Sequence, residues 1–420
     1  MALAMAILDS TDPEDRRPPA AAAIIRKRPA RADPEARRVQ QRPAAAPGLP
    51  SGVGAHPLGP WGQFEKPLLA GPAPSGDIGY ASDCSGLDAG AFALRKLVTS
   101  FRHYFASEFE PSYRAILQAT HSDVGTIYRD VSKRGDEELG PYQGQDTIYT
   151  SGFPCQPFAK SGAQQGHADH AGRGMLAFYV VMTIAKLLPD MFILENVPDL
   201  ASDPKYRQMF DLILRQLHSA GDGVYNIYWR ILNSKQFGVP AQRHRLCIVG
   251  LRRDRQWCSW SWPAPRPIVA LNTVFDVEAH HGARPGDSAD LASLPPFALE
   301  NLARGLELIK KKYPQSDMDQ DPWVIDIGVS KSRAGEPFLD EMPTITKARA
   351  GKRAWCITNL GRRISENELL RCQGFNPSDV VVPTKINREK LCEMVGNAFT
   401  VNVMQALMQN GLRALGRSDP

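Results

Sequence analysis

The sequence predicts an α/β fold, a mainly parallel sheet with helices on both faces and a second, smaller domain set into it. Three observations predict it. From Ile78 to Leu251, short apolar runs alternate with turns and helical stretches, the rhythm of successive βα units. Two of those runs end in Gly- or Pro-bearing turns that carry a cysteine in one case and a glutamate in the other. Beyond Arg252 the rhythm stops, and a region rich in Trp, Pro and charge runs to Pro343. In a sheet of this kind, ligands sit at the carboxyl ends of the strands.

Residues 1–76 are rich in Ala, Pro, Arg and Gly and lack periodicity, so they read as a disordered tail. Within them, Arg26-Lys27-Arg28-Pro29-Ala30-Arg31 suits a nuclear import signal, a DNA-contacting tail or a plain solvated charge run. Asp9, Asp12, Glu14 and Asp15 argue against an organelle transit peptide, and no signal-peptide pattern opens the chain. The expected location is the nucleus, otherwise the cytoplasm.

The catalytic-domain elements then follow in order over 77–251. Tyr80 to Asp83 reads as a first strand and Ala89 to Val98 as a helix. His103 to Ser107 is a second strand, with a helix after Pro111, and Asp130-Val131 marks a third strand end. Asp146 to Thr150 leads into Gly152-Phe153-Pro154-Cys155-Gln156. Met175 to Leu188 is too short to span a bilayer, contains Thr183 and Lys186, and reads as a buried crossover helix. Met191 to Leu194 ends in Glu195-Asn196-Val197-Pro198, and Val224–Leu232 and Leu246–Leu251 close the sheet. Residues 252–343 form the smaller domain. Residues 344–420 return to the first, ending in an amphipathic helix from Gly396 to Leu415.

The chain of 420 residues is long enough to bury a full core. Its 50 Lys and Arg against 45 Asp and Glu leave a net charge of +5, which permits nucleic-acid binding without requiring it. The seven cysteines, at 84, 155, 247, 258, 356, 372 and 392, form no C-x-x-C pair, so neither a zinc site nor a disulfide framework is expected. His167 and His170 lack an Asp or Cys partner at ligand spacing, and no metal is expected.

The two strand ends divide the labour of attacking an electron-poor ring: Cys155 as nucleophile and Glu195 as proton donor. A lone cysteine is more often an inert core residue, and a lone glutamate more often a cap or ion-pair partner; the Gly-Phe-Pro-Cys-Gln and Glu-Asn-Val-Pro contexts weigh against both.

Gly152-Phe153-Pro154-Cys155-Gln156 followed by Glu195-Asn196-Val197 resembles the central motifs of the cytosine-C5 DNA methyltransferases. Val239-Pro240-Ala241-Gln242-Arg243-His244-Arg245 resembles that family's paired-arginine motif, and Val395-Gly396-Asn397-Ala398 its C-terminal Gly-Asn element. The resemblance runs from about Ile78 to about Leu415 and implies a Rossmann-like S-adenosylmethionine-dependent methyltransferase sheet with a target-recognition domain. It implies that Arg245 contacts the cytosine O2 and that Arg243 holds the active-site side chains. It places the cofactor, S-adenosylmethionine, against Asp83, Ser85, Gly86 and Leu87, with Glu108 on the ribose, Phe109 on the adenine, Asp130 and Val131 beside it, and Pro154, Asn397 and Ala398 near by. The implied partner is DNA, with the cytosine flipped out and the Ala159–Gly174 segment closing behind it. No membrane is implied, and a monomer is expected.

The chain departs from the family pattern at two places. Asp88 and Ala89 stand where further glycines are usual, and Ala241 where glutamine is. The first departure leaves open a rebuilt loop or a weakened donor site. Two rival readings stay open: a tRNA enzyme of the same fold, and a catalytically inactive binder. Phe153 before Pro154, and the absence of a Cys-Phe-Thr element, favour DNA.

Overall fold

The computed structural model describes residues 78–154, 175–276, 291, 293–330 and 336–417. The tail 1–76 with its Arg26–Arg31 stretch, Cys155, and the Ala159–Gly174 segment lie outside the described residues.

Seven strands make the main sheet: β1 (Ile78–Asp83), β2 (Phe101–Ser107), β3 (Thr126–Tyr128), β4 (Thr147–Ser151), β5 (Met191–Asn196), β6 (Tyr225–Asn233) and β7 (His244–Arg252). Their spatial order is β3-β2-β1-β4-β5-β7-β6. The first five run parallel, as the alternating pattern requires, each return made by a crossover. The sheet is mainly parallel, as expected, with one reversed strand: β7 runs antiparallel to both neighbours. Only residues 234–243 join β6 to β7, too few for a crossover, so the chain must turn back as a hairpin.

Every residue of β5 is buried, and its side chains alternate between two cores. Met191 and Ile193 join the core that holds α1 (Ala89–Arg95) and the C-terminal helix Val401–Ala414. Phe192 and Leu194 join the opposite core, under the helices Leu176–Leu187 and Arg207–Gly223. Each such side chain, fully buried, contributes about 1.5–3 kcal/mol before the entropy of ordering is counted.

A second sheet holds four antiparallel strands in the order β11-β10-β8-β9: β8 (Trp323–Asp326), β9 (Phe338–Leu339), β10 (Trp355–Ile357) and β11 (Arg362–Arg363). The helix Pro296–Lys312 covers it through Leu302, Leu306 and Ile309, which pack with Trp323 and Ile325. This sheet takes strands from both sides of residue 343, where the sequence reading divides the smaller domain from the return segment.

The continuous helix expected from Gly396 to Leu415 is two helices, Arg388–Asn397 and Val401–Ala414. Ala398 and Thr400 are extended and break the helical path. Gly396 therefore closes a helix and does not start one. It is pressed so close to Thr346 and Lys347 that a Cβ there would lie 2.6 Å from their backbone.

Candidate active site

The registers of the main sheet align three strand ends. Asp83 on β1 pairs with Ser151 on β4, which pairs with Leu194 on β5. The segments that follow these residues, 84–88, 152–154 and 195–197, therefore lie at one edge. Reversed β7 adds its beginning to that same edge, because Asn196 pairs with Leu246 and Glu195 with Cys247. A parallel β7 would have carried His244 and Arg245 to the opposite side.

Glu195 and both arginines meet there. Glu195 Oε1 lies 2.7 Å from Arg245 Nε and 3.9 Å from Arg243 Nη2. The Arg245 contact is an ion pair without hydrogen-bond alignment, so this buried carboxylate oxygen keeps acceptor capacity. Arg243 is buried and donates to the carbonyls of Ile345 (2.7 Å), Gly396 (3.1 Å) and Asn397 (3.3 Å). A guanidinium against the last carbonyls of a helix is a favourable charge–dipole arrangement. Arg243 thus ties β7 to the Gly396–Asn397 helix end, while Arg245, partly open, holds the carboxylate.

The Cys155 turn is approached from the same side. Asn196 Nδ2 donates to the Phe153 carbonyl at 3.2 Å, and its Oδ1 accepts from Val197 N at 2.9 Å. A Cβ built on Gly152 would lie 3.5 Å from the Phe399 ring and 3.8 Å from Glu195 Oε2. Gly152, at the start of the turn toward Cys155, therefore lies beside Glu195, and Cys155 itself lies outside the described residues. The sequence reading assigns Asn196 no role; its side chain clamps the 152–154 turn to β5.

The unusual turn after β1 is built around Asp88. Cys84, Gly86 and Asp88 are all left-handed, with φ of 52°, 54° and 57°. Asp88 caps α1 by accepting from Ala91 N, and it also accepts from Tyr80 Oη and, at 2.9 Å, from Ser82 Oγ. His103 Nε2 lies 3.3 Å away. Burial works against this charge, yet His103, His121 and Tyr80 outweigh it and hold the carboxyl down at about 2. The loop is thus rebuilt, and Asp88 is the residue that organises it. Gly90 serves it too: a Cβ there would lie 2.1 Å from the Tyr80 hydroxyl.

Next to this turn, a cleft of about 430 Å³ opens beyond β2 and β3, lined by Phe109, Tyr128, Arg129, Asp130 and Arg134 among others. Phe109 is 64% exposed, so it is not a core residue, and the Arg129 guanidinium sits 5.9 Å from its ring centre. Glu108 accepts from Gly86 N at 3.0 Å and from Glu110 N at 2.9 Å. Burial pushes its carboxyl up, against the pull of those N–H groups. Asp130 faces the cleft while accepting from Ser132 N and Oγ. A Cβ on Gly86 would meet nothing within 4 Å, so the turn presents open space beside Glu108. An exposed aromatic ring, a carboxylate and an open glycine turn suit an adenosine-bearing cofactor.

Of the expected cofactor contacts, Phe109 and Asp130 line this cleft, and the side chains of Asp83, Ser85, Leu87 and Val131 are engaged elsewhere. Leu87 and Val131 are buried in the core or beneath the turn. Asp83 is fully buried and accepts two Arg134 bonds at 2.8 Å each and one from Tyr149 Oη at 2.7 Å. Its lone pairs are directed beneath the cleft, so its part is to hold Arg134. Ser85 Oγ likewise serves the turn, bonding Ser82 and the Ser107 carbonyl. Arg134 and Tyr149 carry no sequence signal, since neither belongs to a turn motif. Asn397 presents an exposed side chain beyond its Arg243-bound carbonyl, and Ala398 is buried beside it. Among the described residues, His103, His121 and Asp123 bring ligand-type atoms within 4.8 Å of one another. Arg95 already supplies their cation, at 2.8 Å from His121 Nδ1 and 2.7 Å from Asp123.

The family model for C-5 cytosine-specific DNA methylase matches residues 81–412. The chain belongs to the C-5 cytosine-specific DNA methylase family. It is 33% identical over 318 residues to the type II methyltransferase M.NlaX of Neisseria lactamica, covering 75% of this chain and 90% of that protein. It is 27% identical over 309 residues to M.NgoBI of Neisseria gonorrhoeae, covering 72% and 83%. The fold is shared with a Dnmt2 methyltransferase of S. pombe, at TM-score 0.51 and 14% identity over 80% of this chain and 99% of that one. It is shared also with the Entamoeba histolytica methyltransferase EhMeth, at TM-score 0.52 and 13% identity over 81% and 99%. For a C5 methylase, then, the edge that gathers Glu195, Arg243, Arg245 and the Pro154 turn is the place to look for chemistry. The two curated relatives are bacterial and lend the nuclear reading no support. No helix among the described residues is long and apolar enough to cross a membrane.

Proposed function

We propose that this chain methylates C5 of cytosine in DNA, with S-adenosylmethionine as the methyl donor. The observation that carries the reading is the meeting of Glu195, Arg243 and Arg245 with the turn that leads into Cys155, one strand away from the Gly86 turn and its cleft. Glu108, Phe109, Asp130 and the Gly86 turn would hold the cofactor, which when bound there supplies an electrophilic methyl group on a sulfonium.

Cytosine C5 is a poor nucleophile until the ring's aromaticity is broken. The Cys155 thiolate adds to C6 while Glu195 delivers a proton to N3, and C5 becomes enamine-like. With C5 methylated and the donor sulfur left as a neutral thioether, a base takes the C5 proton, the C6–S bond breaks and the N3 proton returns to Glu195, which restores the neutral ring and frees the thiolate. Arg245, already on Glu195, is placed to orient the carboxyl and to reach the cytosine O2. A base within a duplex cannot reach these groups, so it must be extruded. The smaller domain, through β11, is proposed to read the flanking bases. Exchanging 252–363 with a relative's counterpart should transfer site preference; an exchange cut at 343 would divide the small sheet. Unchanged preference after the longer exchange would sink that assignment.

The test is covalent trapping with S-adenosylmethionine on a duplex DNA library and a tRNA pool, both carrying 5-fluorocytosine. Fluorine at C5 blocks the final elimination, so the enzyme stays attached. A DNA adduct is expected with the wild-type chain and none with Cys155→Ser, and sequencing the trapped DNA gives the site. An adduct with tRNA alone moves the substrate to RNA. A folded protein that traps neither overturns the reading.

A further inference from the structure

Asp88 occupies a place where the family motif has glycine, and the structure shows why an acid works there. Its backbone is left-handed, φ 57° and ψ 61°, a conformation that among L residues Asn and Asp tolerate best. Its N–H donates to the Ser85 carbonyl at 2.7 Å and closes the turn. Its side chain is almost wholly buried and reaches three elements at once: Tyr80 and Ser82 on β1, His103 on β2 and Ala91 N in α1.

Two links run outward from this carboxylate. Ser82 Oγ, which donates to Asp88 Oδ2, stands 2.7 Å from Ser85 Oγ, and Ser85 Oγ accepts from Ser107 N at 3.1 Å. Gly86, next in the chain, donates to Glu108, so the turn and the proposed ribose carboxylate are held as one piece. In the other direction, Tyr80 Oη stands 2.7 Å from Thr150 Oγ1 on β4, the strand that leads to Cys155. Gly90 leaves the space that Tyr80 needs to join the network.

We infer that Asp88 is a positioning residue for the methyl donor: its buried carboxylate fixes the Ser85–Leu87 turn and, through Gly86, Glu108. The inference rests on the reading that this turn binds S-adenosylmethionine. It separates Asp88 from the glycine it replaces. A glycine would permit the same φ, but it would leave Tyr80, Ser82 and the Ala91 N–H without their acceptor. Buried groups deprived of a partner pull the local structure apart to find one.

The experiment measures S-adenosylmethionine affinity by titration calorimetry well below the melting temperature, with duplex-DNA affinity and kcat at saturating donor measured beside it. Asp88→Gly, although it restores the family's residue, should raise the donor Kd and KM about tenfold and leave kcat and DNA Kd within about twofold. Asp88→Asn, which keeps the left-handed backbone and an acceptor oxygen, should restore most of the affinity. Ser82→Ala, which removes the hydroxyl that bridges Asp88 to Ser85 and leaves Tyr80 and Ala91 on the carboxylate, should cost about threefold and serves if Asp88→Gly does not fold. The inference is overturned if folded Asp88→Gly, or Ser82→Ala in its place, binds the donor as wild type does. It is overturned too if donor and DNA affinities fall together, the mark of general loosening. A wild-type chain that binds DNA but no S-adenosylmethionine overturns the donor-site reading itself, which is a different failure.

Discussion

Glu195→Gln should lower the single-turnover rate of methyl transfer by about 10²–10⁴-fold, the range a positioned general acid supplies. Donor and DNA affinity should stay near wild type. The substitution keeps the shape of a side chain that is 7% exposed, so the sheet edge need not rearrange. It removes the group that can pass a proton to N3, and it removes the carboxyl that faces Arg245 at 2.7 Å. The second loss does not relieve the first, because a freed guanidinium 18% exposed is not well hydrated and cannot donate its proton. Rapid-quench measurement with saturating DNA and donor separates this from a binding defect. A loss under about tenfold would remove Glu195 from the chemistry and leave it as Arg245's counter-ion.

The largest expected effect on stability is at Arg134. It makes a bidentate pair with Asp83, both side chains at 1% exposure or less, and donates to Ser107 Oγ at 3.0 Å and Thr183 Oγ1 at 2.7 Å. Its guanidinium also lies 4.7 Å from the Phe105 ring centre. Burial works against its charge, and Asp83 more than offsets this, so its proton is held more tightly than usual. Arg134→Met should destabilise the fold by about 3–5 kcal/mol, because Asp83 is left as a buried, unpaired charge. Adding Asp83→Asn should recover part of that loss, since the stranded charge is then gone, and urea midpoints of the four proteins give the coupling. If Arg134→Met costs under about 1 kcal/mol, the pair is not holding the strands beneath the cleft.

These two sites differ in how far they can be read along the chain. Glu195 follows Met191-Phe192-Ile193-Leu194, a short apolar run bounded by Pro189 and Pro198, so its place at a strand end is legible from neighbours alone. The same holds for Gly86, whose left-handed turn follows from the residue type. Arg134 sits 51 residues from Asp83, in a segment with no pattern, and nothing local marks either as the other's partner. Asp88 was visible as a departure; whether it loosened or rebuilt the turn depended on Tyr80, Ser82 and His103, which only the packing of β1 on β2 brings beneath it.

By itself the sequence determined the βα rhythm, the strand ends that carry Glu195 and the Cys155 turn, and the family motifs in their order. Tertiary structure alone decided that reversed β7 lies beside β5 and so brings Arg245 to Glu195, that Arg243 ties the Gly396–Asn397 helix end, and that Asp83 serves Arg134 and not the cleft. The reason is one of range. Turn chemistry and side-chain alternation act between residues a few positions apart and leave their mark in contiguous sequence. Which strand a strand lies beside and which partner a buried charge finds depend on where distant parts of the chain come to rest, and only a folded chain specifies that.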